Sequence, residues 1–266
     1  MDTAVVTGAG RGIGRETARL LARRGYAVLV TDVNEDAAQE TAGLLGEHGW
    51  HMAQDVRDPD GHRAVAAAAA GRGPLKVWVN NAGILRTCKA WEHSDDEVRM
   101  LVEANFLGVL WGSRAAVEAM RALGGDIVNL ASMSAFGAVP GLAVYGATKH
   151  GVLGFTQSLQ GDLDDARIPI RTHAICPDGV DTGMVRERRD DEDSAIIFST
   201  PRFLRPEQVA EQIVEAIGTR RPVVVLPRSR GVLVRTMALF PHLSLRLLPA
   251  FKRAGEKKRA GAPGTG

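Results

Sequence analysis

Seven short, continuous apolar runs alternate along the chain with segments whose apolar residues recur at helical spacing. Short apolar runs that end in glycine or polar residues are typical of buried strands. Strands without polar alternation need cover on both faces, which favours a parallel sheet between two layers of helices. The sequence therefore predicts an α/β fold with a mostly parallel, doubly wound, seven-stranded sheet flanked by helices on both faces.

The predicted elements follow one another through short connections. Strands are predicted at 3–8, 27–32, 50–56, 75–83, 126–132, 168–176 and 222–227. Helices are predicted at 13–25, 34–49, from Pro59 onward, 95–104, 106–122, 143–165 and 206–217. Because no linker or repeat interrupts this alternation, we expect one domain over 1–227 and a C-terminal apolar and basic extension over 228–266 with a disordered tip.

Charge and cysteine content narrow the class of protein. The chain has 266 residues and a formal charge of +2. Nine Lys or Arg and the single acid Glu256 give 228–266 a net charge of +8, which leaves about −6 for 1–227. We therefore expect no nucleic-acid partner for the body of the protein.

Cys88 and Cys176 show no paired spacing, and neither a secretory start nor a long apolar span is visible, which favours a cytoplasmic location. The seven histidines show no metal-ligand spacing with cysteines or acids, so no metal is expected.

A glycine-rich segment, "TGAGRGIG" at 7–14, directly follows the first predicted strand and opens the first predicted helix. Gly8 would permit a tight turn, Gly12 a close approach of backbone to a pyrophosphate, and Gly14 close packing of helix on strand. The N–H groups of the helix N-terminus would then face the phosphates, as in Rossmann-type folds. The alternative is a glycine-rich turn without a ligand.

Asp32 ends the second predicted strand about 20 residues after the glycines, where an acid accepts hydrogen bonds from the adenosine ribose. A carboxylate there repels a 2′-phosphate, so NAD is expected rather than NADP. Arg11 instead favours NADP, because its side chain could bind that phosphate. The alternative for Asp32 is a cap on the following turn.

Tyr145 and Lys149 stand four residues apart in a predicted helix and therefore share one face, with Ser132 thirteen residues upstream. A free tyrosine has a pKa near 10, too high for an efficient base at neutral pH. The ammonium of Lys149 would lower the pKa of Tyr145, and the charge of an oxidised nicotinamide would add to this effect. Ser132 would donate a hydrogen bond to a substrate oxygen. The alternative is an exposed helical pair beside a strand-end hydroxyl.

In this order and spacing, the motifs resemble the short-chain dehydrogenase/reductase superfamily over about 3–227. They are "TGAGRGIG", Asp32, "DV" at 55–56, "NNAG" at 80–83, Asn105, Ser132, "YGATK" at 145–149 and "PDGVDT" at 177–182. The resemblance implies a single Rossmann-type domain with a catalytic tetrad of Asn105, Ser132, Tyr145 and Lys149, in which Asn105 orients a water that links Lys149 to solvent. It implies cofactor contacts at Gly8, Arg11, Gly12, Ile13, Gly14, Asp32, Asp55, Val56, Asn81, Ala82, Gly83, Tyr145, Lys149, Pro177, Val180 and Thr182.

One position departs from the family pattern. The family has glycine after the proline of the loop that follows the sixth strand, whereas this chain has Asp178. If the family uses that glycine for a positive φ, aspartate is among the better tolerated replacements. The carboxylate would lie near the mouth of the cofactor or substrate site.

The extension at 231–261 mixes leucines and phenylalanines with arginines and ends in a basic cluster. One interpretation is a segment that lies on anionic lipid, as a peripheral contact with a membrane. The favoured interpretation is a helical element that covers the substrate pocket or packs on another subunit. Either one indicates a hydrophobic substrate.

These observations predict an oxidoreductase that uses NAD, with NADP as the second choice, to interconvert a secondary alcohol and a ketone on a hydrophobic small molecule such as a steroid, lipid or terpenoid. The first alternative is an NADPH-dependent ketoreductase acting on 3-oxoacyl groups. An alternative of another class is a catalytically silent nucleotide-binding sensor or scaffold. The family resemblance also implies a homodimer or homotetramer.

Overall fold

A computed structural model describes residues 1–200 and 202–261. The seven strands are β1 (Thr3–Thr7), β2 (Ala27–Asp32), β3 (Gly49–Ala53), β4 (Leu75–Asn80), β5 (Gly125–Leu130), β6 (Ile170–Pro177) and β7 (Val223–Leu226). The helices are α1 (Gly12–Arg23), α2 (Glu35–Leu44), α3 (Pro59–Arg72), α4 (Asp95–Val102), α5 (Gly108–Met120), α6 (Ala143–Asp165), α7 (Gly183–Arg186), α8 (Pro206–Ala216), α9 (Arg228–Ala238) and α10 (Pro241–Gly261). The disordered tip predicted after the extension lies outside the described residues.

The strands form a single sheet in the order β3-β2-β1-β4-β5-β6-β7. Every neighbouring pair is parallel, which confirms the predicted doubly wound α/β fold. The chain moves outward from β1 in one direction and returns to continue from β4 in the other. The connections at the carboxyl ends of β1 and β4 therefore diverge and leave a crevice there.

Successive strand residues point into different helical layers, because side chains alternate across a strand. In β1, Ala4 and Val6 pack into a core with α1, α2 and α8, whereas Val5 packs into a core with α3, α5 and α6. Trp78 of β4 is completely buried in the second core. Both faces are covered, as the continuous apolar runs predict.

Element boundaries differ from the predictions mainly where the chain leaves the sheet. β4 ends at Asn80 rather than at 83, and β3 ends at Ala53 rather than at 56. A π-helical turn, Glu103–Leu107, joins α4 to α5. Three short elements were not predicted: a 3₁₀ turn, Met133–Phe136, helix α7 and a 3₁₀ segment, Glu192–Ser199.

The extension forms two helices, α9 and α10, which we call the C-terminal hairpin (228–261). Within the described residues, no helix is both long enough and apolar enough to cross a membrane.

Candidate active site

A cleft of about 690 Å³ follows the carboxyl ends of the strands, from the glycine loop before α1 to the C-terminal hairpin. All but one of the predicted site residues line it: Gly8, Arg11, Gly12, Ile13, Asp32, Asp55, Val56, Asn81, Ala82, Gly83, Asn105, Ser132, Tyr145, Lys149, Pro177, Val180 and Thr182. Gly14 lies beneath the loop, where a Cβ would come within 2.5 Å of the Asn81 amide nitrogen. The fold thus brings together residues that are far apart in the chain.

The glycine loop has the shape that a dinucleotide pyrophosphate requires. Gly8 and Gly12 have φ values of +60° and +58°, a backbone conformation that residues other than glycine rarely adopt. A Cβ on Gly8 would lie 2.6 Å from the Ala82 Cα, whereas one on Gly12 would meet only Thr182, at 3.7 Å. The first turn of α1 has no acidic residue, and its N-cap makes no side-chain hydrogen bond. Its N–H groups are therefore available to an anion in the cleft, so the loop fits the predicted cofactor.

Asn81 fixes the loop from the neighbouring strand. Its amide nitrogen donates to the carbonyl oxygens of Thr7 and Gly8, at 2.9 and 2.8 Å. The backbone N–H groups of Asn81 and Ala82 both donate to the Thr7 hydroxyl. The Asn81 side chain therefore holds the glycine loop in place, and Asn81 also lines the cleft.

Asp32 caps the turn before α2, as the alternative considered for it predicts, and it also lines the cleft. Its Oδ2 accepts the Gly10 N–H at 2.9 Å, and its Oδ1 accepts the Asn34 N–H at 3.0 Å. The carboxylate thus ties the glycine loop to the turn before α2. Because a carboxylate has about four acceptor positions, two remain for hydroxyl groups in the cleft.

The arginines near this end of the cleft have carboxylate partners. Arg11 lies 3.3 Å from Glu187 beyond α7, and Arg15 lies 3.0 Å from Glu40 of α2. Arg57 contacts Asp55 at 2.6 Å and holds the pKa of that carboxyl below its usual value. Arg11 therefore reaches across the cleft towards α7.

The predicted contacts at the other end lie on the loop after β6. Val180 pairs with Leu204 in an isolated bridge and is buried. The Thr182 N–H donates to the Val180 carbonyl at 2.8 Å, and Thr182 faces Gly12 across the cleft. Pro177 ends β6 beside them.

Ser132, Tyr145 and Lys149 meet at the centre of the cleft. Ser132 follows β5, while Tyr145 and Lys149 lie in the first two turns of α6. The Lys149 Nζ donates to the Leu130 carbonyl at 2.8 Å and lies 5.7 Å from the centre of the Tyr145 ring. Lys149 is only 4% exposed, so the alternative of an exposed helical pair is wrong.

The predicted direction of the tyrosine pKa is wrong for this structure. Burial raises the pKa of Tyr145 to about 12, and a hydrogen bond from Ser132 offsets this only in part. Burial also lowers the pKa of Lys149 to about 8. The prediction considered the charge of Lys149 and omitted the cost of placing a phenolate where water is largely excluded.

The Asn105 side chain bonds to backbone in this structure. Its Oδ1 accepts the Ile84 N–H at 2.7 Å, and its Nδ2 donates to the Ile84 carbonyl at 2.9 Å. The π-helical turn presents Asn105 to the chain that leaves β4, and a Cβ on Gly83 would lie 3.7 Å from the Lys149 Nζ. Asn105 thus fixes the segment beside Lys149, and its role in holding a water stays a prediction.

The extension is helical and lines the cleft, in agreement with the favoured interpretation that it covers the pocket. The sequence did not identify which of its residues do so. The hairpin contributes Arg230, Leu233, Val234, Met237, Ala238, Leu248 and Phe251. Asp178 does not have the positive φ considered for it. Its Oδ2 lies 2.9 Å from Arg230 and accepts the Thr200 hydroxyl at 2.9 Å. The unusual aspartate is the only signal in the sequence that pointed to this contact.

Comparison with known proteins shows the family to which the chain belongs. The family model described as short chain dehydrogenase matches residues 2–193. Together with the parallel sheet and the Ser132, Tyr145 and Lys149 cluster, this match shows that the chain belongs to the short-chain dehydrogenase family. It is an oxidoreductase of the NAD- or NADP-dependent class.

Three proteins to which the chain is similar have more specific descriptions. The 3-oxoacyl-[acyl-carrier-protein] reductase of Vibrio cholerae is 32% identical over 214 residues, which cover 79% of this chain and 87% of that protein. A short-chain dehydrogenase from Burkholderia phymatum in complex with NAD superposes with a TM-score of 0.81 at 28% identity, covering 88% of this chain and 92% of the other. A single-residue variant of the actinorhodin polyketide ketoreductase with NADPH has a TM-score of 0.76 at 34% identity, covering 85% and 95%.

Proposed function

We propose that this protein is an NAD-preferring dehydrogenase that interconverts a secondary alcohol and a ketone on a hydrophobic small molecule. The observation that carries the proposal is the meeting of Ser132, Tyr145 and Lys149 at the centre of a cleft that begins at the glycine loop. A phenol, a hydroxyl and a buried amine are the groups that proton transfer to and from an alcohol oxygen needs.

Each residue has a role in that reaction. NAD, when bound, supplies the acceptor for the hydride of the carbinol carbon. Tyr145 would take the hydroxyl proton, while Ser132 donates a hydrogen bond to the same oxygen. Lys149 would stabilise the phenolate and hold the nicotinamide ribose, and Asn105 would keep the neighbouring loop in place.

The preference for NAD rests on Asp32 and on the pairing of the nearby arginines. The carboxylate of Asp32 lines the cleft near the glycine loop, and an adenosine bound there would donate its ribose hydroxyls to Asp32, which would repel a 2′-phosphate. Arg11, Arg15 and Arg57 each have a carboxylate partner, so a phosphate would have to displace one of them.

The apolar substrate is inferred from the walls of the cleft away from the glycine loop. Phe136, Val139, Met184, Ile196 and Ile197 face Leu233, Met237, Leu248 and Phe251 of the hairpin. Such a lining favours a molecule that is largely hydrocarbon around its reacting oxygen.

The cofactor preference has a direct test. Fluorescence titration should give a dissociation constant for NADH at least about tenfold below that for NADPH. Asp32→Asn keeps an acceptor for the Gly10 N–H but removes the negative charge. The dissociation constants for NADH and NADPH should therefore lie closer together in this variant. Asp36→Asn, at an exposed position of α2 outside the cleft, is the control. Tighter NADPH binding by the unaltered chain would instead favour the alternative, a 3-oxoacyl ketoreductase, which the named ketoreductase relatives and Arg11 support.

The reaction itself is tested by following reduced nicotinamide over a panel of alcohols and ketones. We expect the highest kcat/KM for apolar secondary alcohols. No turnover by any member of a chemically diverse panel with either cofactor would support the catalytically silent sensor. We also infer a homodimer or homotetramer, which light scattering would measure.

A further inference from the structure

The C-terminal hairpin has two dissimilar sides. One side lines the cleft and is fastened to the body of the protein by polar contacts. Arg230 pairs with Asp178, and the Lys258 Nζ donates to the Thr200 carbonyl at 2.7 Å. Gly255 is buried against Ala195, so close that a Cβ would overlap its carbonyl oxygen. The orientation of the hairpin on the body is therefore defined by contacts at both of its helices.

The other side and the turn of the hairpin expose apolar side chains. Among the described residues, half of the exposed large apolar side chains lie between 232 and 247. Leu239 and Phe240, at the turn between α9 and α10, are 76% and 56% exposed. Val232, Leu245 and Leu247 are exposed beside them. A concentration of this kind marks a surface that is covered by something else.

The charge around these apolar groups indicates what covers them. Exposed basic residues accompany the apolar ones along both helices: Arg228, Arg246, Lys252, Arg253 and Lys257. Arg235 instead contacts the Phe136 ring of the body, 5.2 Å from its centre. Glu256 is the only acid in 228–266, whose net charge is +8. Two copies of this hairpin would repel each other, whereas an anionic lipid surface would attract both the cations and the apolar side chains.

We propose that the turn of the hairpin docks on anionic lipid, with Leu239 and Phe240 inserted among the acyl chains and the basic residues at the headgroups. No described helix can cross a membrane, so the contact is made at the surface. Since Leu233, Met237 and Leu248 of the same helices line the cleft, docking places the substrate cleft next to the lipid. An apolar substrate would then reach the cleft without crossing water, a consequence that rests on the proposed function.

The experiment measures sedimentation of the full chain with vesicles. We expect binding to phosphatidylcholine vesicles that contain phosphatidylserine, weak binding to phosphatidylcholine alone, and loss of binding at high salt. Leu239→Ser with Phe240→Ser should weaken binding to the anionic vesicles by at least about tenfold. The matched control is Leu44→Ser with Leu123→Ser, which alters two similarly exposed leucines outside the hairpin.

Titration with NADH separates this proposal from the proposed function, because both double variants should bind NADH as the unaltered chain does. If the unaltered chain binds NADH but not anionic vesicles, the docking proposal fails and the dehydrogenase proposal stands. Equal binding of vesicles by the two double variants would also overturn it. A fall in oligomeric mass on altering Leu239 and Phe240 would instead assign the surface to a contact between copies.

Discussion

In the proposed reaction, the phenol of Tyr145 has to lose its proton. Burial raises the pKa of Tyr145 to about 12 and lowers that of Lys149 to about 8. Both shifts favour the uncharged side chain, because the same exclusion of water opposes phenolate and ammonium. At neutral pH both side chains still keep their protons, because both pKa values lie above 7.

Removing only the phenol oxygen of Tyr145 should stop the reaction and spare the binding of nucleotide. We expect Tyr145→Phe to lower kcat by about 10²–10⁴-fold, with the dissociation constant for NADH changed by no more than about twofold. The control is Tyr26→Phe, the other tyrosine of the chain. Steady-state kinetics and NADH titration measure both effects, and unchanged kcat in Tyr145→Phe would remove Tyr145 from the mechanism.

Elements that are far apart in the chain are joined at the cleft by a few polar contacts. Asp178 at the end of β6, Thr200 after the 3₁₀ segment and Arg230 of α9 form one cluster, with the two charged side chains less than one-fifth exposed. The Arg230 Nη1 is buried and pairs with Asp178, and α9 also places Arg235 over the Phe136 ring. This cluster holds the wall of the substrate cleft against the domain.

Breaking the cluster should loosen α9 without affecting the nucleotide site. In Arg230→Gln, we expect amide hydrogen exchange across α9 to quicken by at least about tenfold, because the half-buried Asp178 loses its cation. Binding of NADH should stay unchanged. Arg228→Gln, at an exposed position of the same helix, provides the comparison. Unchanged exchange in Arg230→Gln would show that apolar packing alone holds the hairpin.

The molecule as a whole is stabilised at the end of the sheet that faces away from the cleft. Asp126 of β5 accepts a two-point contact from Arg171 at 2.8 and 2.9 Å, and also bonds to His173 and the Gly218 N–H. Burial raises the pKa of the Asp126 carboxyl, but these hydrogen bonds outweigh that effect and lower it to about 2. The cluster joins two strands to the turn after α8.

The lowered pKa of Asp126 predicts how stability depends on pH. The stabilisation should be fully present above about pH 4, where the carboxyl is ionised in the folded and unfolded chain. It should be lost as the pH falls towards 2. We expect Asp126→Asn to lower the free energy of unfolding by about 2 kcal/mol at neutral pH, and the difference from the unaltered chain to shrink towards pH 2. Urea unfolding at several pH values measures this, and the exposed Asp96→Asn is the control. A difference that is independent of pH would contradict the assignment.

Much of the architecture could be predicted because it depends on patterns within short segments. Continuous apolar runs indicated the strands, and the position of Gly8, Gly12 and Gly14 between a strand and a helix indicated the cradle. Tyr145 and Lys149 fall on one face because helical spacing puts them there. These features need no knowledge of distant contacts.

Contacts between distant segments decided the rest. Where the hairpin lies on the cleft, Arg230 meets Asp178 and Lys258 meets Thr200, and local patterns in the sequence do not identify the two partners of either pair. The pKa of Tyr145 moves opposite to the prediction because burial is a property of the assembled cleft. Spacing along a chain determines which residues are neighbours within one helix or strand. Exclusion of water from a side chain such as Tyr145 depends on every element that packs around it.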